Sequence, residues 1–399
     1  MDLYLVSVLV FLAALAAIIY RDSRRSRKSW TSWAKIAFIR RSQRGKRLLI
    51  RLGTRFPRFW KAVGNFAVVF GIFISVYFIY LLILQLIIII QQNLTIGAGV
   101  VIPSLSQEAV YGTGYLAIPF WHWVISIALL LVVHEGMHGI IAAREKFRIK
   151  SLGIAFLTAL PIGAFVEPDE KQMAKAKPMK QLRVFAAGSF GNFCLAGLSF
   201  LLLILVAMSL SSVTAYTGVG YNSTMEGYPA QAVGMAAPGI ITGINGYDIN
   251  TIADLEAALG EIGPNQMIEV HVSIPEDGEF DNRVYSLTTM CMDNSTSCDT
   301  GFIGISTVTQ EGHIKAGFEL LAGALSYIFS LLYFLFLLNF AIGGINLLPL
   351  GPLDGGRMYS IILNKKAPKY ASRIMKFLSW FVLMLILLNV IAPFINLLT

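Results

Sequence analysis

Charged residues are scarce in this chain of 399 residues. Asp, Glu, Lys and Arg make up only 14% of the sequence, whereas hydrophobic residues make up 56%. An ordinary soluble domain carries about 25% charged residues, so this composition argues against a soluble globular protein. Cysteine is limited to three residues with no Cys-x-x-Cys pair, which excludes a thiolate metal site, and histidine is limited to five residues.

Long apolar runs replace the missing charge. Six of them are long enough to cross a bilayer, which needs about 20 residues. They are Leu3–Tyr20, Phe66–Ile90, Tyr115–Val133, Val184–Leu210, Leu320–Ile345 and Phe377–Leu398. The sequence therefore predicts an α-helical polytopic membrane protein with about six transmembrane helices. Residues 1–20 are interpreted as a signal anchor, because no basic stretch precedes the run and no small-residue cleavage site follows it.

Basic residues are concentrated after the first run. Between Arg21 and Lys61 there are fifteen Lys and Arg residues and a single acid, Asp22. The positive-inside rule places this basic loop, residues 21–64, in the cytoplasm and the N-terminus outside. A nucleic-acid-binding arm is the competing interpretation. The position between two spans, together with the aromatic residues of the loop, favours anionic lipid headgroups, and no nucleic-acid partner is expected.

The same topology places residues 91–114 and 211–316 outside, the latter including an inserted domain at 213–310. Three Asn-x-Ser/Thr acceptor sites, which are possible glycan sites, fall in segments assigned to the exterior and support the topology. These sites are Asn93, Asn222 and Asn294. Cys291 and Cys298 are also exterior and could form a small disulfide loop.

The motif His134-Glu135-Gly136-Met137-His138 lies inside the third apolar run. Two histidines four positions apart project from the same face of a helix and can ligate one metal ion. With a carboxylate beside them they form the pattern of zinc hydrolases, in which the glutamate takes a proton from metal-bound water. The motif predicts His134 and His138 as Zn²⁺ ligands and Glu135 as the general base.

A second motif, Asn346 to Arg357, closes the fifth run. Pro349 and Pro352 cannot continue a helix, and irregular backbone at membrane depth is tolerated only where it is buried in protein or lines a wet cavity. An acid at that depth is costly and usually functional, which predicts Asp354 as the third metal ligand. Asn346 either caps this irregular backbone or donates a hydrogen bond to the reacting carbonyl.

Residues 213–310 differ in composition from their surroundings. Short β-type runs alternate here with Gly, Pro, Asn and Asp, and Asn245-Gly246 is a tight-turn signal. The order of elements resembles a PDZ domain, which predicts a small inserted α/β domain. Such a domain either binds an extended chain at a sheet edge or serves as a spacer.

Taken together, the two membrane motifs and the insert resemble the site-2 protease family of intramembrane zinc metalloproteases. The resemblance covers about Tyr115 to Lys376. It implies regulated cleavage of membrane-anchored substrates in or near their transmembrane segments, with the active site toward the cytoplasmic side. It also implies a protease core formed by residues 65–212 and 317–399, with the exterior insert selecting substrates.

Two further stretches fit this family. Residues 151–167 resemble its membrane-dipping β-hairpin, whose edge could pair with an extended substrate. Ala187 to Asn192 resembles its Gly-x-x-x-Asn helix, although Ser189 stands where a proline is usual. The resemblance implies that Asn192 helps to hold the substrate or the transition state, and a helix-packing amide is the alternative.

Two other functions are weighed against this one. A prenyl-protein type of membrane peptidase also carries His-Glu-x-x-His, but it takes a glutamate as third ligand, and the Leu-Asp-Gly sequence argues against it. A catalytically silent scaffold that binds partners through its PDZ-like domain is the other. The presence of all three ligands and of Glu135 argues against that function.

Overall fold

The computed structural model describes residues 3–25, 30–34, 37–92, 94, 99–157, 160–276, 279–292, 298–306 and 308–398. The chain divides into two compact units. The membrane unit comprises Met1–Ile204 and Phe329–Thr399, and the inserted unit comprises Leu205–Ile328. The predicted insert, residues 213–310, falls within the second unit.

Six helices in the described residues are long and apolar enough to cross a membrane, which confirms the predicted fold class. They are α1 (Leu3–Arg25), α3 (Pro57–Gln91), α4 (Phe120–Arg144), α6 (Pro178–Val213), α9 (Glu319–Asn346) and α11 (Ala371–Leu398). Four of these helices, α3, α4, α6 and α11, start five or more residues away from the starts of the apolar runs. Helix α3 begins nine residues before Phe66, at Pro57, whose fixed φ suits the first turn of a helix. Helix α4 begins at Phe120, because Tyr115–Pro119 forms a strand.

The predicted hairpin at 151–167 is observed as β6 (Ile149–Leu157) and β7 (Leu160–Pro168). Two strands of the basic segment, β1 (Trp30–Ala34) and β2 (Ala37–Ser42), extend it to an antiparallel sheet of order β1-β2-β6-β7. Strand β2 pairs along β6, with Arg40 opposite Ile154. Residues 30–34 and 37–42 of the predicted basic loop therefore belong to a sheet.

Shorter elements complete the membrane unit. They are α2 (Lys46–Arg55), β3 (Val100–Ser104), β4 (Val110–Gly112), β5 (Tyr115–Pro119), α5 (Glu170–Ala174) and α10 (Asp354–Lys366). Strands β3, β5 and β4 form a separate three-stranded sheet. Helix α2 packs directly on α4 at Gly53, where a Cβ atom would lie 2.4 Å from the carbonyl oxygen of Ile140.

The inserted unit is a small α/β domain, as predicted. Its strands are β8 (Thr214–Tyr221), β9 (Ser223–Thr224), β10 (Gly239–Ile244), β11 (Tyr247–Asp248), β12 (Met267–Glu276), β13 (Glu279–Thr288), β14 (Ile305–Ser306) and β15 (Thr309–Ile314), and its short helices are α7 (Pro229–Ala232) and α8 (Ile252–Glu261). The main sheet has the order β13-β12-β10-β8-β15, with β11 paired to β10. Side-chain and backbone hydrogen bonds from Thr251 hold the pKa of Asp254 below its usual range, in a capping box that begins α8.

Two of the sequence expectations concern cysteines and glycan acceptors in or near this domain. Cys291 and Cys298 form a disulfide, with their Cα atoms 5.8 Å apart. Asn222 is exposed, as a glycan acceptor must be. The other two acceptors, Asn93 and Asn294, lie outside the described residues.

A buried ion cluster joins the ends of three helices in the membrane unit. The side chain of Glu145, which follows α4, is fully buried and accepts hydrogen bonds from Arg144 and from Arg183 of α6. Arg183 also donates from Nε to Oδ1 of Asn65 on α3, over 2.8 Å. Since α4 carries the predicted histidines and α6 carries Asn192, this cluster fixes the helices that hold the candidate site.

Replacing Arg183 with Met should destabilise the membrane unit. The change leaves the buried Glu145 carboxylate without one of its two cationic partners, and breaking a buried pair from one side costs about 3 kcal/mol. Thermal unfolding of the detergent-purified chain measures the effect. Lys177→Met, which removes an exposed cation just before α6, is the control and should leave the melting temperature unchanged. Equal melting temperatures for the two variants would contradict this role of the cluster.

Candidate metal centre and active site

Helix α4 presents both predicted histidines on one face. His134 and His138 are one turn apart, and their ring centroids are 4.7 Å apart. Both side chains are buried, with 10% and 11% of their surface exposed. The Nε2 atoms lie 3.1 Å from each other. The two Nε2 atoms are therefore close enough to bind one metal ion.

Asp354 reaches the histidines from the start of α10, directly after an irregular turn that follows α9. The turn contains Pro349 and Pro352, which stop α9 from continuing. Two glycines follow Asp354, and both lie where a side chain would clash. A Cβ atom at Gly355 would lie 1.9 Å from the carbonyl oxygen of Leu347. The sequence Asp-Gly-Gly thus allows the first turn of α10 to press against the preceding turn and to direct the carboxylate inward.

The three donor atoms converge as a tetrahedral zinc site requires. Oδ2 of Asp354 lies 3.2 Å from Nε2 of His134 and 3.1 Å from Nε2 of His138. Zinc binds such ligands at about 2.0–2.1 Å, so two of its tetrahedral ligand atoms are separated by about 3.3 Å. These residues are the group that could hold a metal ion among the described residues. The observed separations therefore fit zinc.

Neighbouring groups turn both rings toward the metal position. Nδ1 of His138 lies 2.7 Å from the carbonyl oxygen of Val184. A carbonyl oxygen only accepts, so Nδ1 carries the proton and Nε2 keeps a free electron pair. Nδ1 of His134 lies 3.1 Å from the amide group of Asn192. Two residues of α6, Val184 and Asn192, thus orient the two histidines.

Gly188 on α6 provides the space in which the ligand atoms meet. A Cβ atom at this position would lie 2.3 Å from Nε2 of His138 and 2.8 Å from Nε2 of His134. Only glycine permits this approach of α6 to α4. The glycine of the predicted Gly-x-x-x-Asn helix therefore lies directly against the candidate ligand atoms.

Glu135 is held beside the metal position by the sheet. The backbone N–H of Val166 on β7 donates to Oε2 of Glu135 over 2.7 Å. Val166 lies opposite Leu152 of β6, yet its N–H points away from that strand, toward α4. The carboxylate is half-buried and lines the same cavity as the three ligands. Its position suits a base that acts on water at the metal.

A cavity of about 550 Å³ opens over these residues. Asn346, at the end of α9, lines the cavity and is half-buried. Asn192 is fully buried and is not among the residues of the cavity wall. The structure thus brings all six predicted site residues into one region but gives the two asparagines different surroundings.

Strand β2 contributes two wall residues that the sequence analysis missed, Ile39 and Arg41. The Arg41 guanidinium lies over the ring of Phe165, 5.9 Å from its centroid, and its Nε is 3.7 Å from Glu167. Arg40, which lies between Ile39 and Arg41 in the strand, lines a second cavity of about 590 Å³ beside helix α1. Both faces of the strand are therefore lined by cavities, and neither face is purely apolar. The sequence of β2 consequently lacks the alternation of apolar and polar residues by which a strand is predicted.

Comparison with known proteins identifies a family whose sequence model matches most of this chain. The sequence model of peptidase family M50 matches residues 122–398, which include the three ligands and Glu135. The chain is similar to the uncharacterized protein MJ0971 of Methanocaldococcus jannaschii, with 22% identity over 86% of this chain and 83% of that protein. It is also similar to the "Putative zinc metalloprotease CPE1693" of Clostridium perfringens, with 25% identity over 61% of this chain and 89% of that protein.

Among solved structures, the PDZ domain of the SdrC-like protein from Listeria monocytogenes is similar to part of the chain. The sequence identity is 21%, the match covers 23% of this chain and 87% of that domain, and the TM-score is 0.19. Residues Ile39 and Arg41 lie before the segment that the family model matches.

Gly188→Ala should weaken zinc binding by about tenfold or more, because the added methyl group occupies the place where the histidine nitrogens meet. Alanine is intrinsically the better helix former by about 1 kcal/mol, so helix propensity cannot account for a loss. Elemental analysis and competition with a chelator measure zinc in the purified protein. Gly197→Ala is the matched control. Gly197 lies on the same helix, and a Cβ atom added there would meet nothing within 4 Å. Wild-type zinc affinity in Gly188→Ala would show that α6 does not form the metal centre.

Proposed function

The chain belongs to peptidase family M50, and on that premise we propose that it is an intramembrane zinc endopeptidase acting on membrane-anchored proteins. The observation that carries the proposal is the convergence of His134, His138 and Asp354 beside Glu135, within elements joined to membrane-spanning helices. Hydrolysis at this depth requires a polar, water-accessible cavity enclosed by protein. The cavity over the ligands has polar and apolar walls and is large enough for a short extended peptide.

Zinc held by the three ligands would supply a Lewis acid that lowers the pKa of a coordinated water. Glu135 is the proposed general base. The Val166 N–H fixes one oxygen of its carboxylate, which leaves Oε1 to accept a proton from the attacking water. The same oxygen then returns the proton to the departing amine.

The two asparagines have separate proposed roles. Asn346 lines the cavity, so its amide can donate a hydrogen bond to the carbonyl oxygen as negative charge develops there. Asn192 is shielded from the cavity behind His134. We assign Asn192 to positioning the ligand His134 rather than to the reaction itself.

The chemistry of the amide supports this assignment. A histidine that binds metal through Nε2 carries its proton on Nδ1, which then needs an acceptor. Oδ1 of Asn192 has no hydrogen-bond partner among the described residues. An amide turned over presents Oδ1 to the Nδ1 proton, and this satisfies both groups at once.

The edge of β7 is the proposed binding site for the substrate backbone. A transmembrane helix has its amides paired internally and must be locally unwound before attack, and an added β-strand stabilises the extended form. The β6 edge of the hairpin is occupied by β2, whereas β7 has no further strand beside it in the described sheet. Ala164 lies two positions from Val166, so its backbone groups also point away from β6. A substrate strand at this edge would pass directly beside Glu135.

Glu135→Gln tests the proposed activity. The amide cannot act as a base, so the variant should keep its zinc and its fold but lose at least about 100-fold in cleavage rate. Cells carrying the wild-type or the variant chain are compared by quantitative analysis of membrane-protein termini, and uncleaved substrates should accumulate in the variant. Glu256→Gln makes the same change at an exposed position of α8 and should behave as wild type. Identical termini in all three samples would favour a silent scaffold instead.

The two asparagine roles predict opposite results. Asn192→Ala should weaken zinc binding about 10- to 100-fold, as expected when the hydrogen-bond partner of a ligand is lost, and Asn192→Asp should restore it because a carboxylate accepts the Nδ1 proton. Asn346→Ala should retain zinc, with an unchanged KM and a kcat about 100-fold lower. Chelator competition and steady-state kinetics on a substrate found above separate the two effects. Full zinc affinity in Asn192→Ala would contradict the positioning role.

A further inference from the structure

A cavity of about 700 Å³ lies at the end of β2, in the basic segment that precedes the family domain. Four arginines and three polar side chains line it, and none of the described lining residues is acidic. The lining residues are Arg40, Arg41, Ser42, Gln43, Arg44, Gly45, Arg47 and Ser151. A cavity with walls of a single charge sign favours an occupant of the opposite sign.

Only part of this positive charge is compensated inside the protein. Arg40 donates to the carboxylate of Asp22 at the end of α1, and Arg41 is 3.7 Å from Glu167. Arg44 and Arg47 are exposed and form no ion pair among the described residues. The wall therefore keeps two guanidinium groups available to an anion.

The cavity adjoins the beginning of helix α2. Gly45 precedes the helix with φ +86°, no side chain caps the N-terminus, and the first turn contains no acid. The first backbone N–H groups of a helix lack partners within the helix. Guanidinium groups and such N–H groups both bind phosphate oxygens, the former with a geometry that matches two oxygens at once.

The position of α2 indicates where a phosphate would come from. The helix lies between two candidate membrane spans, α1 and α3. It packs Leu49 inward but exposes Leu48 and Leu52 at 56% and 37%, next to the exposed cations Arg51 and Arg55. Exposed leucines beside arginines are typical of a helix that lies in the membrane interface.

We propose that the arginine-lined cavity binds one phosphate group, supplied in the membrane by the headgroup of an anionic phospholipid. The inference does not depend on the protease activity, since it uses no catalytic residue. It differs from a general attraction to a charged surface, because it assigns the binding to Arg44 and Arg47 rather than to the basic segment as a whole.

The test uses the full chain in a neutral detergent, where there is no charged surface and single bound lipids can be counted. Native mass spectrometry during titration with phosphatidylglycerol or phosphatidylcholine measures both stoichiometry and affinity. We expect one equivalent of phosphatidylglycerol bound about tenfold more tightly than phosphatidylcholine. The double variant R44Q/R47Q should lose this preference. R51Q/R55Q removes the same amount of charge at positions of α2 outside the cavity and should keep the preference.

A second arm adds inorganic phosphate. Displacement of the lipid by millimolar phosphate supports a site for the phosphate group itself, open to soluble phosphate as well as to lipid. Lipid binding that resists phosphate supports the phospholipid headgroup as the ligand. Equal losses in the two double variants would show diffuse electrostatics and overturn the proposal, as would equal affinity for the two lipids. Circular dichroism and zinc content verify that each variant is folded.

Discussion

Three polar side chains that meet at membrane depth impose the main constraint on the membrane unit. His134, His138 and Asp354 would each cost free energy if they were buried without a partner. A shared metal ion would satisfy all three at once. The surrounding elements conform to this requirement, since Gly188 lets α6 approach the ligand atoms and Gly355 lets α10 turn tightly enough to deliver the carboxylate.

The same constraint explains why much of the site could be predicted from sequence. The spacing of His134 and His138 is local, so helix geometry alone places them on one face. Asp354 is distant in sequence, but the two prolines beside it marked irregular backbone, which is tolerated at membrane depth only around a cavity. In both cases the residues could be predicted because polar groups are costly in an apolar setting and are therefore usually functional there.

Other parts of the site could not be predicted because they depend on contacts between distant segments. The basic segment showed no strand periodicity, and its pairing with β6 is set by tertiary structure. The surroundings of Asn192 and Asn346 depend on how α6 and α9 are rotated about their axes. The sequence motif identified both amides, but only the packing separates the one behind the ligand from the one on the cavity wall.

Strand β2 also affects the order in which the protein can be assembled. It precedes its partner β6 by more than a hundred positions, since Arg40 pairs with Ile154. During synthesis β2 therefore emerges before α3 and α4 have been made, and it has no strand to join. The wall that carries Ile39 and Arg41 can form only after α3, α4 and β6 have been synthesised. The nascent chain thus acquires its His-Glu-x-x-His helix before the cavity over the candidate ligands is closed on that side.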